Sequence, residues 1–308
     1  MKIWKSIKHC YNKLSNFGKI LIFIALLLIL VVLFKQINYT KEGMTNNEKF
    51  TFKDNSSLYD NFYADIYDYL VYSNIKNNYE IGAIINSTSP IESSIIADIG
   101  CGTGHHVGIL SDKKLNVIGV DVSPDMIQVA KEKYPNSKFK VGNALDSTLF
   151  SMNSLTHILC LYFTIYYFPN KKDFFDNCMD WLMPGGYLVV HLVDRERFDP
   201  ILPPGNPLYI VSPQKYAKER ITKTKVTFNN FIYNANFDLN KENNTASFHE
   251  KFKFKDGAVR KNEHKFYMED TSTIINMAQD SGFILQGKVN LVKCAYEHQF
   301  LYIFMKPS

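Results

Sequence analysis

The order of apolar and polar positions divides the chain into four stretches. Residues 1–19 form a basic tail with Lys2, Lys5, Lys8, Lys13 and Lys19. Ile20 to Phe34 is then an unbroken apolar run of fifteen residues, bracketed by Lys19 and Lys35. At ~1.5 Å of rise per residue, this run with its flanks and snorkelling lysines reaches about 25 Å, enough for a thin bilayer. A signal-peptide core has the same length. The preceding segment is long, however, and Val31-Val32-Leu33-Phe34-Lys35 offers no small-x-small cleavage site, so the pattern predicts a retained transmembrane anchor over 20–34. The lysines gathered before the run favour a cytoplasmic amino terminus, whereas a cytosolic cofactor would favour the opposite orientation. Residues 35–57 are polar and predict a linker. From 58 to 308 apolar positions recur with helical and strand periods, which predicts one globular domain.

Within that domain, Tyr59, Phe62, Tyr63, Ile66, Tyr67 and Leu70 share one helical stripe; the helical pattern runs from Leu58 to about Ile85, with a second helix expected from Glu80 to about Asn86. Ile95–Ile99 is a short, largely β-branched run expected of a strand buried on both faces. Helix and strand then alternate: a helix from His105, a strand Asn116–Asp121, and a helix capped by Ser123 with Pro124 at its first position. Strands at 138–141, 157–162 and 187–193 follow, with a helix from Lys171 to about Leu182 before the last. Such alternation with short connections predicts a doubly wound α/β sheet with right-handed crossovers. Between 194 and 269 prolines give way to alternating stretches such as Ser247–Phe254, joined through Lys255-Asp256-Gly257 to the next strand. This predicts a small antiparallel β insertion over the carboxyl edge of the sheet. A helix capped by Asp270 and strands near 283–291 and 299–305 complete the chain.

The net charge of +5 is unevenly placed. Residues 1–49 carry eight lysines against two glutamates, leaving 27 basic and 28 acidic residues beyond them. A globular part so nearly neutral lacks the footprint of a nucleic-acid binder. The five cysteines, at 10, 101, 160, 178 and 294, show neither a disulfide framework nor metal spacing. No other cluster predicts a metal site, and nothing in the sequence fixes the oligomeric state.

The chemistry centres on the segment Ile95–Gly104, where the strand breaks into Gly100, Gly102 and Gly104 before a helix. Glycines at alternate positions let the backbone turn and let a ligand approach without meeting a Cβ. With Asp98 at the strand end, the segment suggests a nucleoside-type cofactor across the sheet's carboxyl edge. A dinucleotide loop requires a glycine where His105 stands, which disfavours an NAD-dependent oxidoreductase.

Asp98-Ile99-Gly100-Cys101-Gly102-Thr103-Gly104, Gly119–Met126, Gly142-Asn143-Ala144 and Leu182–Gly186 together resemble the motif set of class I S-adenosylmethionine-dependent methyltransferases. The resemblance covers roughly 58–306 and implies a seven-stranded, mostly parallel sheet with an antiparallel last strand. It implies that Gly100, Cys101, Gly102 and Gly104 lie along the cofactor, that Asp98 faces its ammonium, and that Asp121 holds both ribose hydroxyls. Val122, Met126 and Leu161 would pack near the adenine, Ala144 and Asn143 would meet its edge, and Tyr63 and Tyr67 would close over it. Asn143 departs from the acid more common there. Candidate bases for a protonated acceptor are Tyr166, Tyr167, His191 and Asp194, with Tyr166 and His191 chosen, although such a histidine is more often a satisfied core residue. The implied function is methyl transfer to a small molecule or, given the anchor, a lipid head group. A catalytically inactive cofactor-binding scaffold is the alternative.

Overall fold

The computed structural model describes residues 15, 17–20, 23–25, 27, 50–55, 57–203, 214 and 217–308. The chain divides into Met1–Glu48 and Lys49–Ser308. In the first unit, residues 17–20, 23–25 and 27 are helical, with Phe17, Ile20, Phe23, Ile24 and Leu27 exposed. Among the described residues no helix is long and apolar enough to cross a membrane. Most of the tail 1–19 and of the anchor expected over 20–34 lies outside them.

The second unit is built on two sheets. The larger holds β2 (Ile95–Ile99), β3 (Asn116–Asp121), β4 (Lys138–Val141), β5 (Leu155–Cys160), β6 (Leu182–Val193), β11 (Ile284–Asn290) and β12 (Gln299–Met305), in the order β11-β12-β6-β5-β2-β3-β4. All neighbours pair in parallel except at β12, which runs antiparallel to both β6 and β11. Alternate residues feed two apolar clusters: Ala97, Ile99, Ile158 and Cys160 enter one, while Ile96, Leu159 and Leu161 enter the other. Because successive side chains point to opposite faces, both faces are covered, as the apolar strands require. The helices doing so are α1 (Asn61–Val71), α5 (Lys171–Trp181) and α6 (Thr271–Asp280) in the first cluster. The second takes α2 (Asn74–Thr88) and α3 (His105–Asp112), and α4 (Pro124–Lys133) contributes to both.

Two boundaries differ from the sequence pattern. The second helix, expected from Glu80, begins earlier, at Asn74, because Tyr72 leaves helical geometry and the Ser73 side chain caps α2 by accepting from Lys76 N. The predicted linker ends earlier than residue 57: Phe50–Asp54 forms β1, parallel to β10 (Val259–Tyr267). Strand β1 was hard to see because it is an exposed edge whose ladder partner lies more than two hundred residues away.

The smaller sheet has the order β1-β10-β9-β8-β7, with β7 at Lys223–Thr227, β8 at Phe231–Asn240 and β9 at Thr245–Phe254. Apart from β1 it is antiparallel. Tyr233, Phe237, Phe248, Phe252 and Phe266 bury one face in the same cluster as α1. The insertion and the main sheet therefore share a core.

Candidate active site

The strand order reverses between β2 and β5, where connections leave in opposite directions along the sheet. Ligand crevices of doubly wound sheets form at such a switch point. A cavity of about 440 Å³ opens there, walled by the glycine loop, the segment before α1, α1 itself, the turn Thr164–Tyr167 and the buried face of the insertion.

The loop is fastened before any ligand arrives. Val120 O accepts from the backbone N–H of both Gly100 (2.8 Å) and Cys101 (3.0 Å). Asp121 accepts from Gly102 N and Ser123 N, each at 2.9 Å, one on each carboxylate oxygen. Gly100, Gly102 and Gly104 all have positive φ, at 70°, 53° and 84°. Their roles differ. A Cβ at Gly100 would lie 2.4 Å from Thr164 Oγ1, and one at Gly104 would lie 2.8 Å from the Phe139 ring. At Gly102 the nearest atom would be Tyr67 Cε1 at 3.5 Å. Two glycines thus serve protein packing, and Gly102 faces the cavity.

Of the residues the resemblance assigned to a cofactor, Gly100, Gly102, Asp121, Val122, Met126, Asn143, Ala144, Tyr63 and Tyr67 line the cavity. Asn143 Oδ1 already accepts from Leu145 N at 3.0 Å, so an adenine amine would share that oxygen. Asp98, Cys101 and Leu161 do not line it; Asp98 is buried behind the loop, and Cys101 and Leu161 belong to the apolar cluster on the other face of the sheet. Gly104 lies behind the loop against Phe139.

Asp98 is 1% exposed, and its Oδ2 is buried without a hydrogen-bond partner. Burial lifts its carboxyl to about 6; His106 and Lys76 oppose the rise, and Glu80 and Asp121 add to it. Beside it Glu80 accepts from Lys76 Nζ at 2.8 Å and lies 2.9 Å from His106 Nε2. Burial would raise Glu80 too, but Lys76 and then His106 hold it down to about 2. Lys76 is therefore matched to Glu80; Glu80 Oε1 and Asp98 Oδ2 both lack a hydrogen-bond partner, but of the two carboxylates Glu80 is the ion-paired one. An isolated buried carboxylate is costly, so the orphaned Asp98 oxygen fits an incoming ammonium.

The structure corrects the choice of base. Tyr166 and His191 are both fully buried, and neither lines the cavity. Tyr166 Oη accepts from Val193 N at 2.8 Å. His191 Nδ1 lies 2.9 Å from Tyr162 O, so that nitrogen carries the proton, and burial lowers the ring to about 4. It is a core histidine that holds Tyr162 at φ 53°, a left-handed conformation rare for a bulky residue and here set at the cavity wall. Asp194 folds into its own turn, accepting from Glu196 N at 3.1 Å and pairing with Arg197. His105 and His106 are structural, bound to Asp68 and Glu80 respectively. No group able to hold a metal ion occurs among the described residues.

The polar residues that do reach the cavity and were missed are His264, Asp199, Thr164 and Gln299, with Glu250 directly behind His264. A signal for Glu250 and His264 exists in the sequence. In β9, Phe248, Glu250 and Phe252 share one face, while His249, Lys251 and Lys253 share the other. In β10, Asn262, His264 and Phe266 share the inward phase. Charged or ionisable residues in an apolar phase mark a buried polar site.

Comparison with known proteins agrees with this geometry. A family model described as a methyltransferase domain matches residues 96–186, from β2 through the turn in β6. The chain is 28% identical over 148 residues to dTDP-4-amino-2,3,4,6-tetradeoxy-D-glucose N,N-dimethyltransferase of Saccharopolyspora spinosa, covering 46% of this chain and 58% of that one. It spans about half the length of the curated relatives it matches. An S-adenosylmethionine-dependent methyltransferase from Clostridium acetobutylicum superposes with a TM-score of 0.61 at 16% identity, covering 80% of this chain and 99% of that one. An amino pentose methyltransferase from Micromonospora echinaspora, solved with bound S-adenosylmethionine, gives 0.53 at 14%, covering 75% and 90%. The fold is that of the class I S-adenosylmethionine-dependent methyltransferases. Residues 96–186 thus match a methyltransferase domain, within a fold shared with these methyltransferases.

Proposed function

We propose that the chain transfers the methyl group of S-adenosylmethionine to a nitrogen or oxygen nucleophile on a small molecule. The observation carrying this reading is the orphaned Asp98 oxygen beneath a glycine loop whose only open glycine, Gly102, faces a cavity rimmed by Asp121. When bound, the cofactor supplies a sulfonium methyl open to in-line displacement.

The remaining work falls to the chain. Asp98 takes the ammonium. Each Asp121 oxygen keeps a lone pair beyond the one engaged by a backbone N–H, and these receive the two ribose hydroxyls. Met126, Val122 and the Asn143–Ala144 backbone border the adenine. The Tyr67 ring, which packs over Gly102, together with Tyr59 and Tyr63 excludes water from the reacting centre.

The acceptor space is walled by Phe198, Phe237, Phe248 and Phe266. With Asp199 as a carboxylate in the wall, it suits a neutral or cationic acceptor with an apolar body. Curated relatives named for amino-sugar dimethylation support an amine acceptor. The apolar run at 20–34 favours a second reading, in which the chain is held at a membrane and the acceptor is a lipid head group.

Incubation of the full chain with methyl-labelled S-adenosylmethionine and fractionated aqueous and lipid extracts tests both. Label in an aqueous product that disappears with Asp121→Ala is the expected result, and label in the lipid fraction would select the second reading. Cofactor binding with no transfer to either fraction would overturn methyl transfer in favour of a cofactor-binding scaffold.

A further inference from the structure

The insertion contributes a hydrogen-bonded chain that cofactor binding does not use. Glu250 is 2% exposed and receives four contacts: Tyr63 Oη (3.1 Å) and Tyr233 Oη (2.7 Å) on Oε1, and Asn262 Nδ2 (3.0 Å) and His264 Nε2 (2.9 Å) on Oε2. Side-chain N–H and O–H groups converge on both of its oxygens, the environment of a carboxylate that only accepts.

That fixes the direction of the chain. A carboxylate only accepts, so His264 Nε2 carries a proton, and in the neutral ring Nδ1 is then an acceptor. Tyr167 Oη lies 2.6 Å from Nδ1 and must donate to it. Tyr59 Oη lies 2.7 Å from Tyr167 Oη and donates there in turn. The Tyr59 oxygen keeps its lone pairs as the open end of the chain, in the wall of the cavity. The Tyr59 ring also packs edge-on against Tyr67, at 6.2 Å between centroids, and Tyr67 covers Gly102 of the cofactor loop. The open end thus lies in the same cavity wall as the tyrosine that covers the cofactor loop.

We propose that Tyr59 is the catalytic proton acceptor and that Tyr167 and His264 relay the proton inward, with Glu250 as the positioning carboxylate. The assignment rests on the methyltransferase reading and deepens it: the acceptor is a molecule whose attacking nitrogen or oxygen carries a proton. As that atom's lone pair forms the bond to the methyl carbon, the carbon–sulfur bond breaks and its electron pair stays on sulfur. The acceptor's proton passes to Tyr59 Oη, the Tyr59 proton to Tyr167 Oη, and the Tyr167 proton to His264 Nδ1. This leaves an imidazolium against the Glu250 carboxylate. The charge is created where a buried, four-times-bonded anion already waits, so little reorganisation accompanies it. The polar groups facing His264 are Glu250 from the insertion, Tyr63 from α1, and Tyr59 and Tyr167, while Asn262 and Tyr233 reach it through Glu250. Asp121, Tyr67 and Tyr162 act on the tyrosines at longer range.

Two measurements on the full chain test this. Imidazole nitrogen NMR should show His264 as the Nε2–H tautomer, with an Nδ1 resonance that moves in Tyr167→Phe. An Nδ1–H tautomer would break the chain and overturn the proposal whatever the acceptor is. Methyl transfer from labelled cofactor to 2-phenylethylamine and to phenol supplies the kinetic arm. Tyr59→Phe should lower kcat by about 10²-fold with KM nearly unchanged, and His264→Gln should shift the pH–rate profile. Calorimetric affinity for S-adenosylmethionine should stay within about 3-fold in both variants. A purely structural network would instead leave the profile of any residual activity unmoved. Loss of cofactor binding in the unsubstituted chain would count against the methyltransferase reading, not against the relay.

Discussion

Asp98 shows how a single residue can be set for a ligand at a cost to the free protein. With its carboxyl lifted to about 6 by burial, the native state binds more protons than the unfolded chain between the ordinary aspartate range and that value. Stability contributed by this residue therefore falls as pH rises through roughly 4 to 6. Asp68 and Glu80, each held to about 2, and His191, lowered to about 4, give slopes of the opposite sign. Those slopes are common to the unsubstituted chain and to Asp98→Asn, so they cancel in a difference. Urea unfolding of the two proteins is expected to show the asparagine variant gaining roughly 2–3 kcal/mol relative to the parent at pH 7, with the gap closing by about pH 4. A gap independent of pH would mean that Asp98 is not held as an unpaired buried carboxylate.

Among the elements, the junction of β10 with the segment leading into α1 decides whether the insertion stays over the cavity. Arg260 Nη1 donates to both oxygens of Asp60, at 3.0 and 2.9 Å, and Nη2 donates to Leu58 O at 3.0 Å. The guanidinium also sits over the Phe62 ring at 4.8 Å. Asp60 is in turn the N-cap of α1, accepting from Tyr63 N at 3.2 Å. Arg260→Ala leaves the Leu58 carbonyl without its partner and Asp60 with only Tyr63 N and Lys53 Nζ, at 3.2 and 3.3 Å. It is expected to cost about 2–3 kcal/mol in thermal or urea unfolding, and to speed amide hydrogen exchange in β10 ahead of β2. Unchanged exchange in β10 would show that the apolar face alone seats the insertion.

The same contrast explains what was readable in the sequence. Strands β2 to β4 and helices α3 and α4 have local signals: β-branched runs, the Ser123 cap and the prolines flanking α4. The glycine loop and Asp121 carry a residue pattern fixed by backbone conformation. The relay residues belong to sheet faces whose register is set by partners far away, as with Glu250 opposite Asn262. The choice of Tyr166 over its neighbour failed for a related reason. Two adjacent residues in the turn Thr164–Tyr167 point opposite ways, Tyr166 into the core and Tyr167 into the cavity.

For the unit 49–308 as a whole, two sheets share one core and leave a cavity between the carboxyl edge of the larger and the buried face of the smaller. The glycine loop belongs to one wall and His264 to the other, so the proposed cofactor and acceptor roles fall to different parts of the chain. Both depend on the first wall being what it is proposed to be. Isothermal titration of the full chain with S-adenosylmethionine tests that most directly, run in parallel with Asp121→Ala. One-to-one binding is expected for the unsubstituted chain, weakened at least about 10-fold when the two ribose hydroxyls lose their charged acceptor. Absence of binding by the unsubstituted chain, or equal binding by the variant, would contradict the assignment of this cavity to the cofactor.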